Sequence, residues 1–90
     1  MQIRYFATIR TITGENALYW DKPEATLGEL LHDLHPRYGR NFQNWVLDGD
    51  ALGPAIIILV NGYDVRHLNG IDTKLQADDI ISIFPVVAGG

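Results

Sequence analysis

Ninety residues with seven Lys and Arg against eleven Asp and Glu carry a net charge of -4. The basic residues are scattered and form no patch to grip phosphates, which excludes nucleic-acid binding. That length builds one modest core and leaves no room for a cofactor domain beside a substrate domain. The chain has no cysteine, which removes disulfides, thiolate nucleophiles, iron–sulfur sites and thiolate zinc sites. Its longest apolar run, Ala55 to Val60, is about a third of the roughly 20 residues that cross a bilayer. With no charged-then-apolar leader at its start, the expectation is a cytoplasmic protein without a membrane span.

In chain order, Gln2 to Thr8 and Glu15 to Asp21 are rich in aromatic and branched residues and flank a segment holding Gly14. They predict an antiparallel hairpin with a longer loop. Thr26-Leu27-Gly28-Glu29 fits a capping box, in which the Thr26 hydroxyl accepts from the Glu29 amide and the Glu29 carboxylate reaches back to the Thr26 amide. The helix that starts there carries Leu27, Leu30, Leu31 and Leu34 as one stripe and should stop near Pro36 or Gly39. Gly39 to Pro54 reads as a looser segment, with a short extra turn around Phe42, Trp45 and Val46. The run from Ala55 to Val60 predicts a central strand covered on both faces. Asn61-Gly62 marks a tight turn into a brief returning strand at Tyr63-Asp64-Val65, and His67 to Asp79 a loop closed by short turns. The last strand, Ile80 to Phe84, sets Ile81 and Ile83 on one face and Ser82 and Phe84 on the other. Two strands, a helix laid across them and a final strand beside the first describe an α+β domain of the ubiquitin-like β-grasp type, a mixed sheet with one main helix on one face. Residues 1–90 form a single domain in this reading, with 85–90 as a flexible C-terminal tail.

The opening RYFATIRTITG, the VNG after the third strand and the closing LQADDIISIFPVVAGG together resemble the small ubiquitin-like sulfur carriers of the MoaD/ThiS family. Among them the chain looks most like the small subunit of molybdopterin synthase, with the thiamine-pathway carrier as the next relative. The resemblance implies a carrier and accessory subunit whose active sites lie on partner chains. An adenylating, E1-like enzyme using ATP would activate the Gly90 carboxylate, a persulfide donor would convert it to a thiocarboxylate, and the large synthase subunit would receive the tail. No cofactor is expected on the chain itself. Gly89 and Gly90, lacking Cβ atoms, thread through a narrow channel without a side-chain clash. Pro85 fixes its φ and stiffens the root of the tail.

Strand parity supplies a docking surface. With Tyr5 and Ala7 turned to the helix, Arg4 and Phe6 face away, as do Ser82 and Phe84, and the third strand adds Ile57 and Leu59, or Ile56 and Ile58. An apolar patch on the uncovered sheet face beside the tail suits a larger protein partner. The partner-binding residues are then Phe6 and Phe84, with Tyr63, Pro85, Val86 and Val87 around them.

Other chemistry finds little support. His32 and His35 lie three apart on the helix, with no third His and no Cys near them in sequence, so a solvated helix face is expected and not a metal site. Asp48-Gly49-Asp50 lacks the further ligands of a calcium loop and reads as a turn. Asp78-Asp79 reads as the turn before the last strand, with a second role in pairing charge with the activating enzyme. Gly62 and Gly70 read as turn glycines. Besides molybdopterin synthesis, the tail suits a sulfur carrier for thiazole or cysteine formation, or a protein modifier; a β-grasp interaction module with an inert tail is the third class.

Overall fold

The computed structural model describes residues 1–86. β1 (Gln2–Tyr5) is followed by α1 (Thr8–Thr13), β2 (Ala17–Tyr19), α2 (Leu27–Tyr38), α3 (Arg40–Val46), β3 (Leu47–Asp48), β4 (Ala51–Leu52), β5 (Ile56–Val60), β6 (Tyr63–Asp64) and β7 (Ile80–Pro85). The main sheet has the order β2-β1-β7-β5-β6, with β1 and β7 parallel in the centre and the other pairs antiparallel. Only one face of it is covered by α2, which is the β-grasp arrangement.

The predicted leucine stripe builds the core. Leu27, Leu30, Leu31 and Leu34 are fully buried, and so are Ile3, Ile56, Ile58, Ile81 and Ile83 on the facing side of the sheet. Burial of this kind stabilises by about 25 cal/mol per Å² of apolar surface, so a few such side chains outweigh any single polar contact. The Thr26 hydroxyl accepts from the Glu29 N–H at 3.3 Å, as the capping box predicts. The Glu29 carboxylate, however, accepts from Ala25 at 3.0 Å and not from Thr26. Pro36 lies inside α2, where its ring costs the last turn one N–H, and Gly39 ends the helix by donating to His35 C=O at 2.7 Å.

Four expectations are corrected. The connection between β1 and β2 contains the helix α1, entered through Ala7 at φ 52 and anchored by the buried Ile9. Ala7 is therefore exposed and does not face the helix layer. Residues 39–54 are ordered as α3, which buries Phe42 and Val46, and the hairpin β3–β4, whose turn is Asp48-Gly49-Asp50-Ala51. The run at β5 alternates between buried and half-buried, so only one of its faces is covered by the helix layer. β7 continues to Pro85, opposite Ile56, and the Val86 N–H donates to Ala55 C=O at 2.8 Å. Residues 85 and 86 of the expected tail thus belong to the sheet.

Candidate functional site

Parallel pairing brings the C-terminal ends of β1 and β7 to the same end of the sheet. The register from Gln2↔Ile80 to Tyr5↔Ile83 sets Phe6 beside Phe84, and the Phe6 N–H donates to Ile83 C=O at 3.1 Å. Because Tyr5 and Ile83 are buried in the core, their chain neighbours Phe6 and Phe84 point to the outer face. There the two rings stack, 4.3 Å between centroids and 9° apart in plane. Ile57 pairs with Phe84 and Leu59 with Ser82, so β5 widens the patch with two half-buried aliphatic side chains. Ile80, on the same outward parity, is exposed at the other end of β7; the alternation of Ile80, Ser82 and Phe84 already contained that signal.

The site residues expected from the sequence divide accordingly. Phe6 and Phe84 come together, and Val86, 44% exposed, follows them on the outward side. Pro85 lies opposite the buried Ile56 and so at the rim of the inner face. Tyr63 is placed apart. It pairs with Val60, whose side chain is in the core, so the register turns Tyr63 toward the helix side of an edge strand, two strands away from β7. Val87, Gly89 and Gly90 lie outside the described residues.

Two helices flank the end of β7: α1, absent from the sequence reading, and α3, read there as a short extra turn. α1 packs against β7 and α3, and α3 forms with Pro54 and Ala55 a shallow cleft of about 260 Å³ lined by Asn41, Asn44 and Trp45. All eleven acidic side chains fall in residues 15–33, 48–50 and 64–79, so α1, α3, β5 and β7 carry no acidic side chain, while α1 carries Arg10 and α3 carries Arg40. Glu15, which follows α1, is held by Arg37 through Nη2 at 2.7 Å and Nε at 3.2 Å, and also accepts from the Tyr38 hydroxyl. The Arg37 guanidinium, and then Tyr38, keep its carboxyl below the usual range. Beneath this cluster Tyr5 packs edge to face with Tyr38 and Phe42 while Tyr38 and Phe42 meet at a tilt, and burial pushes the Tyr5 phenol well above its ordinary value.

The opposite end of β7 is held by a polar joint. Asp79, only 6% exposed, accepts from the Gln76 N–H at 2.7 Å and from Asn61 Nδ2 at 2.8 Å. Asn61 in turn accepts from the Ile80 N–H at 2.9 Å. Asn61 and Gly62 sit at φ 53 and 88, the left-handed conformation that their two-residue hairpin turn requires. The VNG and ADD segments therefore meet in space, and Asp79 has a structural role. Among the described residues no group of three His, Cys, Asp or Glu gathers to hold a metal ion, and no helix is long and apolar enough to cross a membrane.

The sequence profile described as the ThiS family matches residues 3–90. Small archaeal modifier protein 3 of Haloferax volcanii is 37% identical over 91 residues, covering 100% of this chain and 98% of its own. A chain of the Amycolatopsis orientalis BexX/CysO complex shares the fold with a TM-score of 0.83 at 28% identity, over 99% of this chain and 98% of that one. A Pyrococcus furiosus protein described as a putative molybdopterin converting factor, subunit 1, shares it with a TM-score of 0.73 at 28% identity, over 96% and 95% of the two chains.

Proposed function

The chain belongs to the ThiS family of ubiquitin-like sulfur carriers and modifiers, and from that membership we propose that it carries sulfur as a thiocarboxylate on Gly90. The observation that supports this most directly is the stacked Phe6–Phe84 pair at the root of the C-terminal segment: an apolar docking face set beside the chain that must enter a partner. A carboxylate is an anion at neutral pH and resists nucleophiles. Adenylation by a partner using ATP releases pyrophosphate and leaves a mixed anhydride. A persulfide then displaces AMP, and a thiol cleaves the resulting S–S bond to leave the thiocarboxylate. ATP and the persulfide belong to the partners; this chain contributes the reacting terminus and the surface that orients it.

The acceptor we favour is the pterin precursor of the molybdenum or tungsten cofactor, in the large subunit of molybdopterin synthase. The Pyrococcus furiosus neighbour supports that choice. A second reading, attachment to protein lysines, has its own support in the full-length similarity to a protein named a modifier. Both begin with adenylation, so pyrophosphate release from ATP in the presence of the cognate activating enzyme is the first test. The intact chain should stimulate it; a chain lacking Gly90 should fold with the same unfolding midpoint and lose sulfur transfer. Sulfur transfer retained by the truncated chain would move the chemistry elsewhere.

A further inference from the structure

The outward positions of the five strands carry two charged side chains, Arg4 and Asp64, and the register sets both in one row. Arg4 lies beside Ser82, Ser82 beside Leu59, and Leu59 beside Asp64, across the neighbouring strands β1-β7-β5-β6. In the next row Phe84 lies between Phe6 and Ile57.

Neither charge has an ionic partner in its own molecule. Among the described residues the one ion pair is Arg37–Glu15. Arg4 is exposed, and its Nη2 donates to the neutral Gln2 side chain at 3.1 Å. Asp64 accepts from the Arg66 main-chain N–H at 2.9 Å. The Arg66 guanidinium is turned away from it, to the Ile56 and Gly53 carbonyls at 2.5 and 2.6 Å.

Strands lie about 4.8 Å apart, so Arg4 and Asp64 stand about 7 Å to either side of the line midway between β7 and β5. A two-fold axis along that line turns a second copy face to face with the first and lays β7 over β5 and β1 over β6. Arg4 of each copy then stands over Asp64 of the other, and Phe84 over Ile57, so every contact is made twice. Aligned sheets pack about 10 Å apart and within about 30° of each other, which keeps both charge pairs within reach of an arginine side chain.

We propose that this sheet face is self-complementary and that the chain forms a two-fold dimer through it, with Arg4 and Asp64 of the two copies paired at its rim. The four shared strands cover about 400 Å² per copy, half of the roughly 800 Å² that a standard interface buries on each side. The dimer is therefore weak and reversible. It covers Phe6 and Phe84 and competes with any partner that docks there; only this consequence rests on the sulfur-carrier reading.

Sedimentation equilibrium from about 20 μM to about 1 mM measures the dimer, and amide shifts that change on dilution map its surface. The wild type should show a monomer–dimer equilibrium, with the shifts confined to β1, β5, β6 and β7. Arg4→Glu and Asp64→Arg each set like charges opposite one another twice, and each should weaken the dimer about tenfold or more. Mixed in equal amounts the two variants should dimerise again, because the substituted side chains pair with each other and the native Arg4 with the native Asp64. A fold lost in either variant cannot be restored by mixing. A single monomeric species at about 1 mM overturns the proposal, as do shifts that fall on α2, or a dimer that both single variants keep. The wild-type series decides even if Asp64→Arg, which loses the bond to the Arg66 N–H, does not fold. No reading involves ATP or an activating enzyme, so a failed dimer and a failed sulfur transfer are told apart.

Discussion

Replacing Asp79 by Ala removes the acceptor at the centre of the joint between the β5–β6 turn and β7. The carboxylate takes two hydrogen bonds, 2.7 Å from Gln76 and 2.8 Å from Asn61, in a site where Asp79 is 6% exposed. Hydrogen bonds to a charged group contribute about 1.5–3 kcal/mol each, and both donors would stay behind without a partner. Water reaches them in part, so the expected loss is about 2–4 kcal/mol. For a domain of this size that lowers Tm by roughly 10–25 °C. Urea unfolding followed by circular dichroism measures it. Asn61→Ala should cost a comparable amount, since it also strands the Ile80 N–H and puts a Cβ-bearing residue without a side-chain amide at φ 53. The double mutant should then fall short of additivity by about 1–2 kcal/mol. A loss below about 0.5 kcal/mol for Asp79→Ala, or a strictly additive cycle, would refute the reasoning that this joint holds the start of β7.

Two further outcomes follow from the site. Phe84→Asp sets a carboxylate where a ring now stacks 4.3 Å from Phe6; if this face is the centre of an interface, affinity for the large synthase subunit or the activating enzyme falls by about 30-fold or more, and titration calorimetry showing an unchanged Kd would remove the surface from the account. Glu15→Gln tests the Arg37 fork through pH: the Glu15 carboxyl is depressed by Arg37 and then Tyr38, so its contribution is complete above the ordinary value of about 4.3 and fades as pH falls through the depressed folded value. Urea midpoints of the two proteins should differ near neutrality and converge in acid; a gap that persists at low pH would assign the effect to packing.

Long periodic features were legible in the sequence because burial on one face dictates them. The Leu27–Leu34 stripe, the Thr26 cap and the Ile81/Ile83 alternation each repeat with the period of their element, and all stand where expected. Parity alone was enough to put Phe6 and Phe84 on one outer face. α1 escaped notice because six residues bury a single side chain, Ile9, too few to make a period. The β5 run misled for a related reason: Ile57 and Leu59 are apolar although the helix layer does not cover them, and an apolar outer face looks in sequence like a second buried one. Tyr63 went to the wrong side because a two-residue strand after a tight turn has no alternation of its own, and only pairing with Val60 fixes its face. Contacts such as those of Arg66 with Gly53 and Ile56 join residues ten and more apart by backbone carbonyls, which carry no residue signature.

The central claim is that the reacting group is the chain's own terminal carboxylate. Intact mass after incubation with ATP, a persulfide donor, a thiol and the cognate activating enzyme tests it most directly. The account predicts a gain of about 16 Da, sulfur for oxygen, that fragmentation places on Gly90. An unchanged mass under conditions where the enzyme consumes ATP with this chain, or a sulfur atom found on any other residue, would contradict it.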